Sequence, residues 1–420
     1  MGALRGVHST FLPTLTAPRT AVFPGAGDPS LGTAVGTGPA TCDGPCAPRT
    51  RGLPSWAPTT RVPSTGRRLV HDRRRRATRT PGPVDAARVH PLLRARAEAQ
   101  LGLFTAADAL GAGYGHPEVQ RLCRSGTWRR LRRGVYVTAT DLTAAEESGH
   151  RHRLDCLAVV LALGRATTAV SSVSAARLWG LPVRRDLDRT VRLTDPVVWR
   201  RGQGYQVTRA SLPAHDVVGS GPLRLTSPAR TLVDCAREWD EEDAVVAMDA
   251  ALLRGRVTAP DLLDAVASAR RWPGAATVAR AVELTDGRAE SPLETRGRLR
   301  IVGAGLPRPE LQVEIRTGGR LVAVVDAWFD GPAVAVEFDG QVKYTDPWRG
   351  RLPERVLWEE KRREDELRAL DVRVVRIVDA DLGAGWPRVA ERLGHAVRSP
   401  GPVDRRFTAV PRARGLLRSA

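Results

Sequence analysis

At 420 residues the chain is long enough for two or three domains that each bury a core. Five cysteines scattered at positions 42, 46, 123, 156 and 235 form no disulfide framework and fit a reducing cytoplasm. The longest apolar run, Leu157 to Leu163, is too short to span a bilayer, and the first 25 residues lack the apolar stretch of a secretory leader, so a cytoplasmic protein without membrane contact is expected.

The formal net charge of +19 favours a polyanionic partner, and DNA is the first expectation. All but two of the 65 basic residues are arginine, which also fits a genome that writes arginine wherever a plain positive charge will do. The two lysines, Lys343 and Lys361, then stand out, because a compact ammonium differs most from a guanidinium beside reacting oxygens.

Residues 1–88 are rich in Pro, Gly, Thr and Ala, carry the run Arg73 to Arg76 and show no sustained helical or strand period, so they read as a disordered basic region. Cys42 and Cys46 lack a second Cys/His pair at finger-like spacing, which argues against a zinc site.

Residues 89–140 change texture. Thr105 with Asp108 predicts a capped helix through Leu110, and Pro117 opens a second short helix that ends at Gly126. Val119 and Leu122 face inward on it, and Arg121 and Arg124 do not. Trp128 to Val137 then alternates around Gly134 as a basic hairpin. Helix, helix, hairpin is the order of a winged helix-turn-helix. Such a module lays the helix from Pro117 in the major groove and sets Arg129, Arg130, Arg132 and Arg133 against phosphates. Ser125-Gly126-Thr127-Trp128 followed by Leu131-Arg132-Arg133-Gly134-Val135-Tyr136 resembles the N-terminal winged-helix domain of AbiEi-type antitoxins. The resemblance implies DNA binding, often as an autorepressor in a toxin-antitoxin operon, with a cognate toxin protein as a second partner.

Residues 141–282 read as a mixed α/β middle domain. Helices are expected around Leu154 to Leu163, up to Leu178-Trp179-Gly180, from Ser227-Pro228 to Arg237, from Glu241 to Leu253 and from Ala259 to Ala269, with strands near Thr190 to Leu193 and Tyr205 to Thr208. Ser227 to Asp234 resembles the middle part of AbiEi-like proteins. His150, His152, Asp155 and His215 have no metal-site spacing.

Residues 283–396 carry the strongest chemical signal. Ser291-Pro292-Leu293-Glu294 opens a helix to about Val302, and two strand-like runs, Arg320 to Phe329 and Ala333 to Phe338, flank Asp330-Gly331-Pro332. With Gly331 and Pro332 as the turn pair, Asp326 falls opposite Glu337, their Cβ atoms roughly 5 Å apart. Asp339 shares the face of Glu337, so three carboxylates gather. Like charges this close raise one another's pKa unless a cation sits among them, and Mg2+ (or Mn2+) takes such oxygen ligands. Lys343, or Lys361 on a helix from about Pro353 to Leu370, then neutralises charge on a reacting phosphodiester.

Asp326, ten intervening residues and Glu337-Phe338-Asp339 resemble the PD-(D/E)xK nuclease pattern, with Asp339 where that pattern has lysine. With Gly340, Lys343-Tyr344, Glu360 to Leu367 and Val374-Val375-Arg376, the stretch looks like the very-short-patch-repair-like endonuclease domains. The resemblance implies a restriction-endonuclease-like α/β domain with a mixed central sheet, Glu294 on its first helix, Asp326 and Glu337 as metal ligands, and a displaced lysine. The expected architecture is thus an α/β multidomain chain closed by a basic flexible tail, 397–420. Two functions follow from it: a metal-dependent DNA endonuclease, or an AbiEi-like regulator with an inert nuclease fold.

Overall fold

The structure, a computed structural model, describes residues 89–184, 186–187, 189–340 and 353–412, with side chains of the helix that begins at Pro353 described from Trp358 onward. The expectations for residues 1–88 and for Lys343 lie outside the described residues.

The first layer comprises α1 (Pro91–Ala99), β1 (Leu103–Thr105), α2 (Ala106–Gly111), α3 (His116–Arg124), β2 (Trp128–Arg132) and β3 (Val135–Thr138). Thr105 caps α2 reciprocally: its hydroxyl accepts the Asp108 N–H, and the Asp108 carboxylate accepts the Thr105 N–H at 2.8 Å. The strands form an antiparallel sheet in the order β1-β3-β2. Leu93, Phe104, Val119, Leu122 and Trp128 form its core, with the Trp128 ring edge-on to Phe104 at 4.7 Å. Two large rings supply much of the buried area that so small a module can muster.

The middle of the chain adds α4 (Ala139–Glu147), α5 (Arg151–Leu163), β4 (Ala169–Val170), α6 (Ser172–Leu178), β5 (Val191–Asp195), β6 (Arg200–Gly202), β7 (Tyr205–Arg209), β8 (Val217–Ser220) and β9 (Leu223–Thr226). Six strands, where the sequence suggests two, make a mixed sheet in the order β6-β7-β5-β4-β9-β8. The strands without a sequence signal are short, two to four residues, too brief for alternation to show. Leu103, Val135 and Val137 of the first layer pack in the same cluster as Leu154, Leu157, Leu193 and Leu225, so the two sheets share a core. Next, α7 (Pro228–Ala236), α8 (Glu241–Leu253), α9 (Ala259–Ser268) and α10 (Ala275–Leu284) enclose Leu232, Val245, Met248, Leu262 and Val278.

The last part holds α11 (Pro292–Gly303), β10 (Glu310–Thr317), β11 (Arg320–Phe329), β12 (Val334–Asp339), α12 (Pro353–Ala369), β13 (Arg373–Val378), α13 (Trp386–Arg398) and β14 (Thr408–Pro411). The sheet order is β13-β12-β11-β10-β14, with β12 and β13 parallel and the other pairs antiparallel. A parallel pair needs a crossover, and α12 lies within it. One face packs Val336 and Phe338 with Ile301 of α11 and Leu393 of α13, and the other packs Val325 and Ala335 with Leu367 of α12.

The tail expected from 397 is corrected for its described part: Thr408–Pro411 is the fifth strand of this sheet, and the buried Phe407 meets Trp328 edge-on at 5.9 Å. An apolar anchor and the open edge of β10 hold it there. The chain is therefore a mixed α/β protein with several sheets, two of them mixed. Among the described residues no helix is long and apolar enough to cross a membrane.

Candidate functional site

Two regions carry the functional residues expected from the sequence. In the first, α3 buries Val119 and Leu122 and leaves Arg121 and Arg124 exposed, with Arg121 3.6 Å from Glu118. Arg129 and Arg130 on β2 and Arg133 in the turn are also exposed. The tight turn needs Gly134, which sits at φ +72°.

Arg132 has a different placement. The β2–β3 register shifts between Arg130 and Arg132, a bulge that re-aims the strand. Arg132 then donates to the Gln203 carbonyl at 2.7 Å and lies over the Tyr205 ring, joining this hairpin to the β6–β7 hairpin. The bulge leaves Arg129, Arg130 and Arg133 as the solvent-facing cations of the hairpin.

The second region lies on the β10–β12 side of the last sheet. The register expected for the β11–β12 hairpin is observed, with Ala327 opposite Val336, Trp328 opposite Ala335 and Phe329 opposite Val334, and the Ala333 N–H closes the turn onto the Asp330 carbonyl. The ladder stops one pair short of Asp326 and Glu337. Asp326, 5 % exposed, instead accepts the Phe338 N–H on Oδ2 at 2.8 Å.

Glu294 is brought to Asp326 by α11. Ser291 caps this helix by accepting the Glu294 N–H, and the Glu294 carboxylate turns back to accept the Glu290 N–H at 2.8 Å. The close approach of α11 to β12 depends on Gly297, where a Cβ would meet Phe338 Cε1 at 1.9 Å.

Between the two carboxylates lies Gln312, which the sequence reading did not single out. Its Nε2 donates to Glu294 Oε2 at 3.0 Å and reaches Asp326 Oδ1 at 3.5 Å. Gln312 is 4 % exposed and has φ +53°. That conformation costs a non-glycine residue on the order of 1 kcal/mol. Leu311 and Ala327 point to the α11 face, whereas Val313 and Val325 point to the α12 face, so both strands change face at Gln312 and Asp326. The Arg412 N–H, just beyond β14, is bonded to the Gln312 carbonyl at 2.9 Å. The side-chain Oε1 of Gln312 is buried without a hydrogen-bond partner, a state that costs about 1–3 kcal/mol.

Electrostatics fits this picture. Burial first, and the Asp326 charge second, push the Glu294 carboxyl up to about 7. Glu337 is half-buried and directed to cations, with Arg376, its neighbour across the parallel β12–β13 pair, at 3.9 Å and Arg363 of α12 at 4.0 Å. Asp339 ends β12 and is half-buried. Lys361 is exposed on α12.

The structure thus joins Glu294 to Asp326 through Gln312 and surrounds Glu337 with arginine. Among the described residues no three His, Cys, Asp or Glu side chains converge closely enough to hold a metal ion. Two buried carboxylates with an unpartnered carbonyl oxygen are nevertheless a hard-oxygen set that fits Mg2+ or Mn2+. One sequence signal for Gln312 existed: an uncharged amide set between the apolar Leu311 and Val313 of a strand. Arg376 and Arg363 carried none, because their nearness to Glu337 depends on the order of strands.

Residues 91–139, which span α1 to the end of β3, match the family described as "Transcriptional regulator, AbiEi antitoxin". The first layer is thus the part of the chain that is similar to that family, and it is joined to two further α/β regions. Over 276 residues the chain is 30% identical to "Uncharacterized protein Rv2248" of Mycobacterium tuberculosis (strain ATCC 25618 / H37Rv), covering 64% of this chain and 92% of the relative. It is equally similar, over the same shares, to "Uncharacterized protein MT2308" of Mycobacterium tuberculosis (strain CDC 1551 / Oshkosh). The chain belongs to the family of these two mycobacterial proteins.

Proposed function

We propose that the protein is a DNA-binding regulator of the AbiEi antitoxin kind. The observation that carries this reading is the coincidence of the matched segment, 91–139, with exposed arginines on one helix and one hairpin. In this reading the segment is a winged helix-turn-helix. Its α3 enters the major groove with Arg121 and Arg124, and Arg129, Arg130 and Arg133 on the wing meet phosphates. A cognate toxin protein is the second partner. A gel shift on the protein's own promoter tests this: Arg121→Ala with Arg124→Ala abolishes the shifted band, and unchanged affinity removes α3 from the interface.

A second reading is favoured by the Glu294–Gln312–Asp326 cluster: the last sheet is a restriction-endonuclease-like domain that hydrolyses DNA phosphodiesters. Glu294 and Asp326 would hold Mg2+ or Mn2+ there, whereas Glu337, expected from the sequence as a ligand, faces Arg376 and Arg363. When bound, such an ion supplies charge stabilisation at the scissile phosphate. Burial of Glu294 and Asp326 strengthens their hold on a cation, and Arg363 and Arg376 place positive charge beside Glu337, where the usual pattern has lysine. Nicking of supercoiled plasmid with Mg2+ or Mn2+, lost in Asp326→Ala, tests it. Intact plasmid with every metal, or equal nicking by the variant, leaves the regulator alone.

A further inference from the structure

We infer that Gln312 is a cation-ligating residue, its Oε1 completing a divalent-metal site with the Glu294 and Asp326 carboxylates. The inference rests on the second reading above and assigns that reading a ligand from outside its acidic motif. Among the described residues no three acidic side chains converge in this region, and the group present there to supply a third oxygen is an amide. The Gln312 side chain is placed for that role: its Nε2 now bridges Glu294 and Asp326, and a half-turn of the amide exchanges that nitrogen for Oε1 when a cation replaces the two hydrogen bonds. Its oxygen is buried and unpartnered, and a carbonyl oxygen is a proper ligand for a hard cation.

The backbone supports the same assignment. A non-glycine residue at φ +53° inside a strand is unusual, and it lies where both β10 and β11 change face. That change places the side-chain amide of Gln312 beside the carboxylates, and the Arg412 N–H anchors the Gln312 main-chain carbonyl. A purely structural amide needs both of its polar atoms satisfied. Gln312 uses only its donor end.

The full chain, stripped with EDTA, is titrated with MnCl2 by calorimetry, and its thermal midpoint is followed with and without Mn2+. The wild type takes up Mn2+ and gains thermal stability. Gln312→Met, similar in length but without the oxygen, weakens Mn2+ binding at least tenfold. Gln312→Glu restores or exceeds wild-type binding, although it donates to neither carboxylate. A positioning role alone predicts the opposite for that variant, because the hydrogen bonds to Glu294 and Asp326 stay lost. Folded Gln312→Met that binds like wild type, or Gln312→Glu that binds as weakly as Gln312→Met, overturns the assignment. If Gln312→Met does not fold, Gln312→Glu decides: a Mn2+-induced rise in melting temperature at least as large as that of wild type supports it, and a smaller one overturns it. Absence of Mn2+ uptake by the wild type overturns it as well. Mn2+ uptake that depends on Gln312 without plasmid nicking keeps the ligand and removes the nuclease reading.

Discussion

Arg298 on α11 donates to Asp249 on α8 at 2.8 Å, with both side chains sealed from solvent at 0 % and 1 % exposure. The pair ties the helix that carries Glu294 to the helical cluster of the middle region. Asp249 also accepts the Asp286 N–H and the Thr295 hydroxyl, and Arg298 reaches the Leu284 carbonyl. Removing one partner leaves a buried charge without compensation, so Arg298→Met is expected to cost about 3–5 kcal/mol. The double variant Asp249→Leu with Arg298→Met recovers much of that loss. Urea denaturation of the three proteins is the check, and a double variant no better than Arg298→Met contradicts the ion-pair account.

Gly297 sets how near α11 comes to β12. In Gly297→Ala the helix preference of alanine returns about 1 kcal/mol, and the clash with Phe338 costs more, leaving a net loss on the order of 2 kcal/mol. Phe338→Leu, which removes the clashing ring edge, relieves part of it in the double variant. Additive losses in thermal denaturation would show that the helix does not press on that ring.

His152 on α5 gives a pH signature. Burial first, then the Arg177 charge, hold its imidazole down to about 4, below the 6.5 of an unburied histidine. A folded pKa below the unfolded one means that this group's stability is fully present above pH 6.5 and is lost as the pH falls toward 4. The wild type therefore loses on the order of 1–2 kcal/mol more than His152→Gln between pH 7.5 and pH 5. Parallel losses in urea titrations at the two pH values contradict this.

The cation that serves Glu337 is a separate question within the nuclease reading. Arg376→Ala is expected to lower plasmid nicking at least tenfold, and Lys361→Ala to leave it near wild type, because Lys361 is exposed on α12. Loss of nicking in Lys361→Ala or Lys343→Ala, with Arg376→Ala active, returns the role to lysine.

Local chemistry made much of this legible in advance. The Thr105–Asp108 cap, the start of α7 at Ser227-Pro228 and the start of α11 at Ser291-Pro292 each depend on a few neighbouring residues. So does the β11–β12 register, which follows from its turn. What stayed hidden depends on distant partners. The importance of Gln312 arises from a left-handed backbone, a strand opposite it and a helix from another part of the chain. The turning of Arg132 toward Gln203 spans 71 residues, and β14 joins a sheet whose open edge no sequence pattern announces.

The central claim, duplex DNA binding through residues 91–139, is tested most directly by fluorescence anisotropy on a promoter duplex across a salt series. The account predicts that Arg121→Ala with Arg124→Ala weakens binding sharply. It also predicts that replacing Arg129, Arg130 and Arg133 with alanine lowers the slope of log affinity against log salt by about 2–3. Arg132→Ala leaves that slope unchanged. Wild-type affinity and an unaltered slope in both multiple variants would place any DNA contact elsewhere on the chain and contradict the account.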